Sequence, residues 1–274
     1  MLKLLTINAI TKYIEENLEV HPIKIDEIVT FTGFSRRYLQ QHFKKIVGIS
    51  IGKYIQLRRI SRAAVLLKLT NMSIINIADR LFYDSQQTFT REFRKNTGYT
   101  PLQYRKHKTW TFSNLIGHRY IGMDFPTPDI RYIEKISINA TKKIYNEKIP
   151  YLGIFSEMRW GDINSLLTNG NTHICMSNKV LATKNTNEEI EIHTYFWSTE
   201  KRASQQIFLP DGFYAYFSFR GDRRDYIHYI NNVYMNILPF YGLQKRNDYD
   251  VEIISKDNDH CFLFEYYLPV TQPL

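Results

Sequence analysis

Cysteine is almost absent. The chain holds two in 274 residues, Cys175 and Cys261, far apart and in no metal-ligand spacing. That excludes a disulfide framework and points to a reducing cytosol. Long apolar runs are missing too: no window approaches the ~20 residues a bilayer crossing needs. The opening stretch MLKLLTINAITKYIEENLEV alternates apolar and polar residues with a helical period and lacks a small-residue cleavage site, which argues against a signal peptide. Acid is scarce in one part only. Residues 1–110 hold 19 Lys and Arg against 8 Asp and Glu, a net of +11, while the remainder holds 17 of the 36 cations against 19 of the 27 acids, a net of −2. The first part has the electrostatic footprint of a polyanion binder; ordinary solvated Lys and Arg are the other reading.

The apolar texture changes near Trp110. Before it, apolar residues recur every three to four positions, as in helices; Leu5, Ala9, Ile10, Tyr13, Ile14 and Leu18 are expected to line one of them. After it, HRYIGMDFPTPDI with Pro126 and Pro128 reads as a connection. The runs KKIYNEKIPYLGIFSEM, EIEIHTYFW, GFYAYFSFRG, DYDVEII and CFLFEYYLP read as strands, and RDYIHYINNVYMNILPFYG as a helix ending at Pro239 and Gly242. The predicted organisation is an all-α domain over 1–110, a connection over 111–119 and an α+β domain over 120–274.

A short phrase occurs twice, fifty residues apart. FKKIVGISIGKY (43–54) and FRKNTGYTPLQY (93–104) share an aromatic, two cations, Gly, Ser or Thr, and Tyr at the same offsets. Each follows a short amphipathic segment and a turn. In the first copy Ser35 is a natural N-cap. Leu39, Phe43, Ile46 and Val47 are expected inside, with Arg36, Arg37, Gln40, Gln41 and Lys44 outside. In the second, Phe89 and Phe93 point inward and Gln86, Gln87, Thr90, Arg91 and Arg94 outward. A short helix, tight turn and second helix with a cationic, amide-rich face is the helix-turn-helix pattern. Arg and Gln make bidentate contacts with guanine and adenine edges in the major groove. Between the two units, residues 50–70 read as one helix of ~30 Å, close to the ~34 Å between adjacent major-groove segments on one face of B-DNA. Arg58, Arg59 and Arg62 on this rod are open to two uses, phosphate contact or internal pairing.

These residues carry a family resemblance. DSQQTFTREFRKNTGYTPLQYR from Asp84 and RRISRAAVLLKLT from Arg58 resemble the DNA-binding domain of the AraC/XylS transcription regulators, and within them the single-chain MarA, SoxS and Rob group. The DNA-binding part precedes a second domain, as in Rob. The resemblance implies that Ser85, Gln86, Gln87, Thr90 and Arg91 face DNA. It also implies double-stranded DNA and RNA polymerase as partners, action as a monomer, and targets in stress, efflux and drug tolerance. The first unit departs: where that group has Trp and, four residues later, a base-reading Arg, this chain has Arg37 and Gln41.

Residues 120–274 resemble a GyrI-like domain through LPDGFYAYFSFRG and FEYYLPV. The implied fold is two related strand-and-helix repeats around a pocket for small amphipathic or cationic molecules, with a Glu on the last strand, here Glu265. On period two alone Glu265 shares a face with Cys261, Leu263 and Tyr267, and a solvated face is the plainer reading; the resemblance brings a pocket level with it. Trp160, Trp197, Tyr195, Tyr214 and Tyr216 are candidate pocket aromatics, each taken singly more readily an ordinary core residue. After Trp160 the chain is expected to be too short for a full first-repeat helix, by about three turns. Two other functions stay open for this domain: a protein-interaction module, and a small-molecule hydrolase, although no Ser-His-Asp or Cys-His constellation accompanies Glu265.

Overall fold

The computed structural model of the chain describes residues 2–112, 114–117, 127–148, 157–183, 189–198, 205–257 and 261–271. Seven helices come first: α1 (Leu2–Asn17), α2 (Ile25–Thr32), α3 (Arg36–Val47), α4 (Ile51–Leu69), α5 (Ile74–Arg80), α6 (Gln86–Thr97) and α7 (Pro101–Lys106). Hydroxyl caps start most of them. Ser35, Ser50, Ser73, Ser85 and Thr100 each accept a backbone N–H from the first turn of α3, α4, α5, α6 and α7, an arrangement worth ~1 kcal/mol apiece. Gly48 and Gly98 end α3 and α6 in the left-handed region, at φ 88° and 81°, where a side chain would be strained.

The repeated phrase now has a physical meaning. Phe43 packs edge-on against Tyr54 at 5.4 Å, and Phe93 against Tyr104 at 5.3 Å. All four rings are buried. Each copy therefore pins the end of a helix-turn-helix to the helix that follows it, with the cap hydroxyl and the left-handed glycine fixing the turn between.

α4 is the connecting rod, 19 residues and ~28 Å long. Two of its three arginines are used internally. Arg58 is fully buried and donates to both carboxylate oxygens of Glu15, at 2.6 and 2.7 Å, and to the Ile116 carbonyl. Arg62 and Arg80 both pair with Glu19. Burial works to raise the Glu19 carboxyl, but Arg62 and then Arg80 together hold it below its ordinary value. In α1 the buried stripe is Ile7, Ile10 and Ile14, continued by Leu18 just past its end; Leu5 is exposed. The expected stripe was wrong at its first turn, where Ile7 is buried instead of Leu5, and Ala9 and Tyr13 are only half-buried.

The rest is one eight-stranded antiparallel sheet with two helical segments. Its elements are β1 (Asp129–Ile133), β2 (Ile136–Lys148), α8 (Glu157–Thr168), β3 (His173–Ala182), β4 (Glu189–Trp197), β5 (Gln205–Leu209), β6 (Gly212–Gly221), α9 (Arg223–Asn232) continued by a π-helical turn (Val233–Ile237) and α10 (Leu238–Phe240), β7 (Asp250–Lys256) and β8 (Phe262–Pro269). The order is β1-β6-β8-β7-β3-β4-β2-β5. β2-α8-β3-β4 and β6-α9-β7-β8 are thus two like units meeting at the β7–β3 seam. The first unit is less truncated than expected. α8 starts ahead of Trp160, inside the run read as strand, and at 12 residues is under two turns shorter than the segment from Arg223 to Phe240. Pro126 lies outside the described residues.

α8 and α9 cover one face of the sheet, over a core of Trp160, Ile163, Tyr226, Phe262 and Phe264. The seven-helix part packs on that face too. Ile60, Leu67, Phe89, Phe93 and Phe112 share a core with Ala215, Phe217, Ile237, Tyr266 and Leu268. Trp110 and Lys245 exchange two backbone hydrogen bonds, at 2.8 and 3.1 Å. Opposite, the curl of the sheet buries Ile138, Ala140, Tyr195, Ile207, Leu209 and Val251 on the face away from the helices. No helix among the described residues is long and apolar enough to cross a membrane.

Candidate nucleic-acid interface and effector site

The second helix of each helix-turn-helix buries one stripe and exposes the other, as period 3.6 requires. On α3 Leu39, Phe43 and Val47 are buried, while Arg36, Arg37, Gln40, Gln41 and Lys44 are exposed. Arg36 also faces Asp26 at 3.4 Å, an exposed pair that constrains it little. On α6 Phe89, Phe93 and Thr97 are buried; Gln86, Gln87, Arg91 and Arg94 are exposed and Thr90 is half-buried. Ser85 is the N-cap, accepting from the Thr88 amide at 3.1 Å and donating to the Thr88 hydroxyl at 3.1 Å.

Gln86, Gln87, Thr90, Arg91 and Arg94 line one open concavity of about 720 Å³ together with Lys95 and Thr100. The last two were absent from the expected set. Their signal was present, since both belong to the repeated phrase: Lys95 is its second cation and Thr100 its hydroxyl. The concavity offers amide and guanidinium donors beside helix starts, a surface suited to base edges and phosphates.

On the sheet, register decides which candidates meet. Ser218 lies opposite Glu265, Tyr216 opposite Tyr267, and Tyr214 opposite Pro269. Ile253 also lies opposite Glu265, and Val251 opposite Tyr267. Glu265, Tyr214 and Tyr216 therefore share the face away from α8 and α9, and Tyr195 and Trp197 join it through Ser177, the β3 partner of Tyr195 and of Val251. Tyr216 donates its hydroxyl to Glu265 at 2.9 Å. Burial, and then that carboxylate, raise the Tyr216 phenol above its ordinary value. Trp197 donates Nε1–H to Ser177 at 2.8 Å, and Tyr195 meets Tyr249 edge-on at 5.4 Å. Trp160 does not belong here. It packs on Phe262 at 5.1 Å, on the helix-covered face; the expectation failed because α8 carries it on the side of the sheet opposite Glu265. Arg131 on β1 was missed: its guanidinium centre stands 3.5 Å over the Tyr216 ring, and nothing local in the sequence ties it to β8.

No group of three or more His, Cys, Asp or Glu among the described residues is placed to hold a metal ion.

Two family models match the chain, a helix-turn-helix domain over residues 28–107 and a GyrI-like small molecule binding domain over residues 179–271. The F1 operon positive regulatory protein of Yersinia pestis is 46% identical over 98% of this chain and 89% of its own length. The right origin-binding protein of Escherichia coli K12 is 28% identical, covering 88% of this chain and 86% of that one. The transcriptional regulator Rob of Salmonella typhimurium is 27% identical over the same shares. The matched helix-turn-helix model spans both α3 and α6. The chain belongs to the AraC family of DNA-binding transcription regulators, as a Rob-like member with a GyrI-like domain.

Proposed function

We propose that the chain activates transcription by reading two adjacent major-groove segments of double-stranded DNA as a monomer, with α3 as one reader and α6 as the other. The observation that carries this is the duplicated unit. Two capped helices with exposed Arg and Gln faces flank a rod of ~28 Å, which suits the spacing of successive grooves. Site contacts come from Arg36, Arg37, Gln40, Gln41 and Lys44 on α3. On α6 they come from Gln86, Gln87, Thr90, Arg91 and Arg94, with Ser85 acting through its cap. Activation implies RNA polymerase as partner and the cytoplasm, on the nucleoid, as the place of action. The division into 1–110, 111–119 and 120–274 is part of the same proposal, with the last part sensing a small amphipathic or cationic effector at Glu265 and performing no catalysis.

Two target classes follow from the relatives. The 46% identical protein is named for positive regulation of one operon, which favours a dedicated activator of one or a few operons. The resemblance to the Rob group, with relatives of those names at 27–28%, favours stress, efflux and tolerance genes.

Selection of bound sites from random DNA with the full chain tests the reading. The expected product is one asymmetric motif across two groove segments; a palindrome that needs two chains to protect it would overturn the proposal. Transcription from a promoter carrying that motif, with and without the chain, separates activation from repression. The same selection with Gln41→Arg should move one base under α3 toward guanine, with ~1–3 kcal/mol at stake per bidentate contact. Identical motifs for both proteins would remove Gln41 from the reading set.

A further inference from the structure

Cations of the chain itself stand over tyrosine rings on the face of the sheet away from the helices. Lys142 lies 5.8 Å from the Tyr195 ring centre, Lys179 5.6 Å from Tyr249, and Arg131 3.5 Å from Tyr216. The third is different in kind. At 3.5 Å the guanidinium is in van der Waals contact with the ring, so nothing fits between them. Its Nη1 donates to the Tyr267 hydroxyl at 3.1 Å and its Nε to Asp129 at 2.7 Å. The Tyr216 ring beneath it meets Tyr267 at 4.9 Å and donates its hydroxyl to Glu265 at 2.9 Å. A planar cation thus has an aromatic face to stack on, a phenol oxygen to accept its N–H, and a carboxylate one hydroxyl away. These are the groups that recognise amidinium and guanidinium.

We infer that Arg131 fills, from within the chain, a subsite for planar cations made by Tyr216, Tyr267 and Glu265, and that an amidinium or guanidinium ligand enters by displacing it. The inference rests on the effector reading of this face; it does not depend on the DNA readers. Displacement is cheap in structure. β1 is the edge strand, paired only through β6, and the Arg131 side chain is 41% exposed. On leaving the ring it keeps Asp129, on its own strand, as partner. A tethered competitor acts at high effective concentration and reduces apparent ligand affinity by the fraction of time it leaves the subsite open. Arg131 thereby sets a threshold, so that weak cationic ligands are rejected and only those with additional apolar contacts succeed.

Calorimetric titration of the full chain tests this with two probes, benzamidinium and its uncharged analogue benzamide. Arg131→Ala should bind benzamidinium at least tenfold more tightly than the unmodified chain and benzamide no differently. Adding Glu265→Gln to Arg131→Ala should cancel the gain, and thermal melts of all three proteins should coincide near the unmodified value. Equal benzamidinium affinity with and without Arg131 overturns the inference. If that shared affinity is still lost in Glu265→Gln, the effector reading survives alone; if no protein binds the probe, both fall. A gain for benzamide equal to that for benzamidinium also overturns it, since the vacated space rather than the lost charge would then explain the gain.

Discussion

Raising salt from 50 to 200 mM should weaken binding of the full chain to its selected DNA site by about a thousandfold to ten-thousandfold. Exposed cations sit on both reading helices: Arg36, Arg37, Lys44 and Lys45 on α3, and Arg91, Arg94 and Lys95 on α6. Each that neutralises a phosphate releases condensed counterions and contributes about −0.9 to the slope of log K against log salt. If most of these cations reach phosphates, a slope near −6 follows. Arg58 and Arg62 of α4 add little, because they are committed to Glu15 and Glu19. Arg91→Ala tests one member of the set. It should weaken binding at every salt concentration, and the slope should flatten by about one if Arg91 holds a phosphate and stay unchanged if it reads a base. Filter binding or fluorescence anisotropy across a salt series gives both quantities. A wild-type slope shallower than about −3 would mean that one reader at most touches the backbone. The full chain is the right material: Phe112 and Leu115 are buried against the helices and the Ile116 carbonyl accepts from Arg58, so a fragment cut at Trp110 would lose part of its own core.

The helical part was legible because its information is local. A hydroxyl before a helix, a glycine after it and an apolar stripe within it are read from consecutive residues, and Ser35, Ser50, Ser85, Thr100, Gly48 and Gly98 all serve as that grammar requires. The offset of fifty between Phe43 and Phe93 made both exposed helix faces visible in the sequence. The sheet was less legible because its information is in pairing. β1 and β5, of five residues each, are too short to show a period. β3 carries Ser177, Asn178 and Lys179 in place of a clean alternation. The start of α8 was missed because Glu157 and Met158 continue the apolar run before it, so its helix looked shorter than it is. The same limit applies to the sheet face that carries Glu265. Glu265 and Tyr216 were separately identifiable, but their hydrogen bond joins residues 49 apart in the chain. Arg131 reaches Tyr267 across 136. Distances of that kind are set by strand register, which one sequence does not display.

The largest effect on stability should come from a pair that neither reading surface contains. Arg159 on α8 is buried and donates to Glu252 on β7 at 2.5 Å. Asn178 on β3 donates to the same carboxylate at 3.0 Å and accepts from the Thr194 hydroxyl at 2.8 Å. Arg159 and Asn178 belong to the first strand-and-helix unit and Glu252 to the second, so the network crosses the β7–β3 seam. Burial alone would lower the Arg159 guanidinium, but Glu252 and then Glu147 outweigh it and hold it above its ordinary value. Arg159→Met keeps much of the side-chain volume and removes the charge. It leaves the buried Glu252 carboxylate with neutral groups, the Asn178 amide and the neighbouring Tyr226 hydroxyl, and orphaning one partner of a buried pair costs about 3–5 kcal/mol. The cost should fall on the sheet and, through the core shared with α4 and α6, on the whole chain, seen as a lower urea midpoint by circular dichroism. Arg159→Met with Glu252→Leu removes both charges together, and desolvation of the pair then no longer has to be offset. That double variant should recover most of the loss, because an apolar replacement of a buried ion pair is often neutral or better. If Arg159→Met unfolds at the wild-type midpoint, the pair is not the buried charge pair described here. If the double variant is no more stable than the single one, packing by the Arg159 stem, and not the orphaned carboxylate, is what the seam depends on.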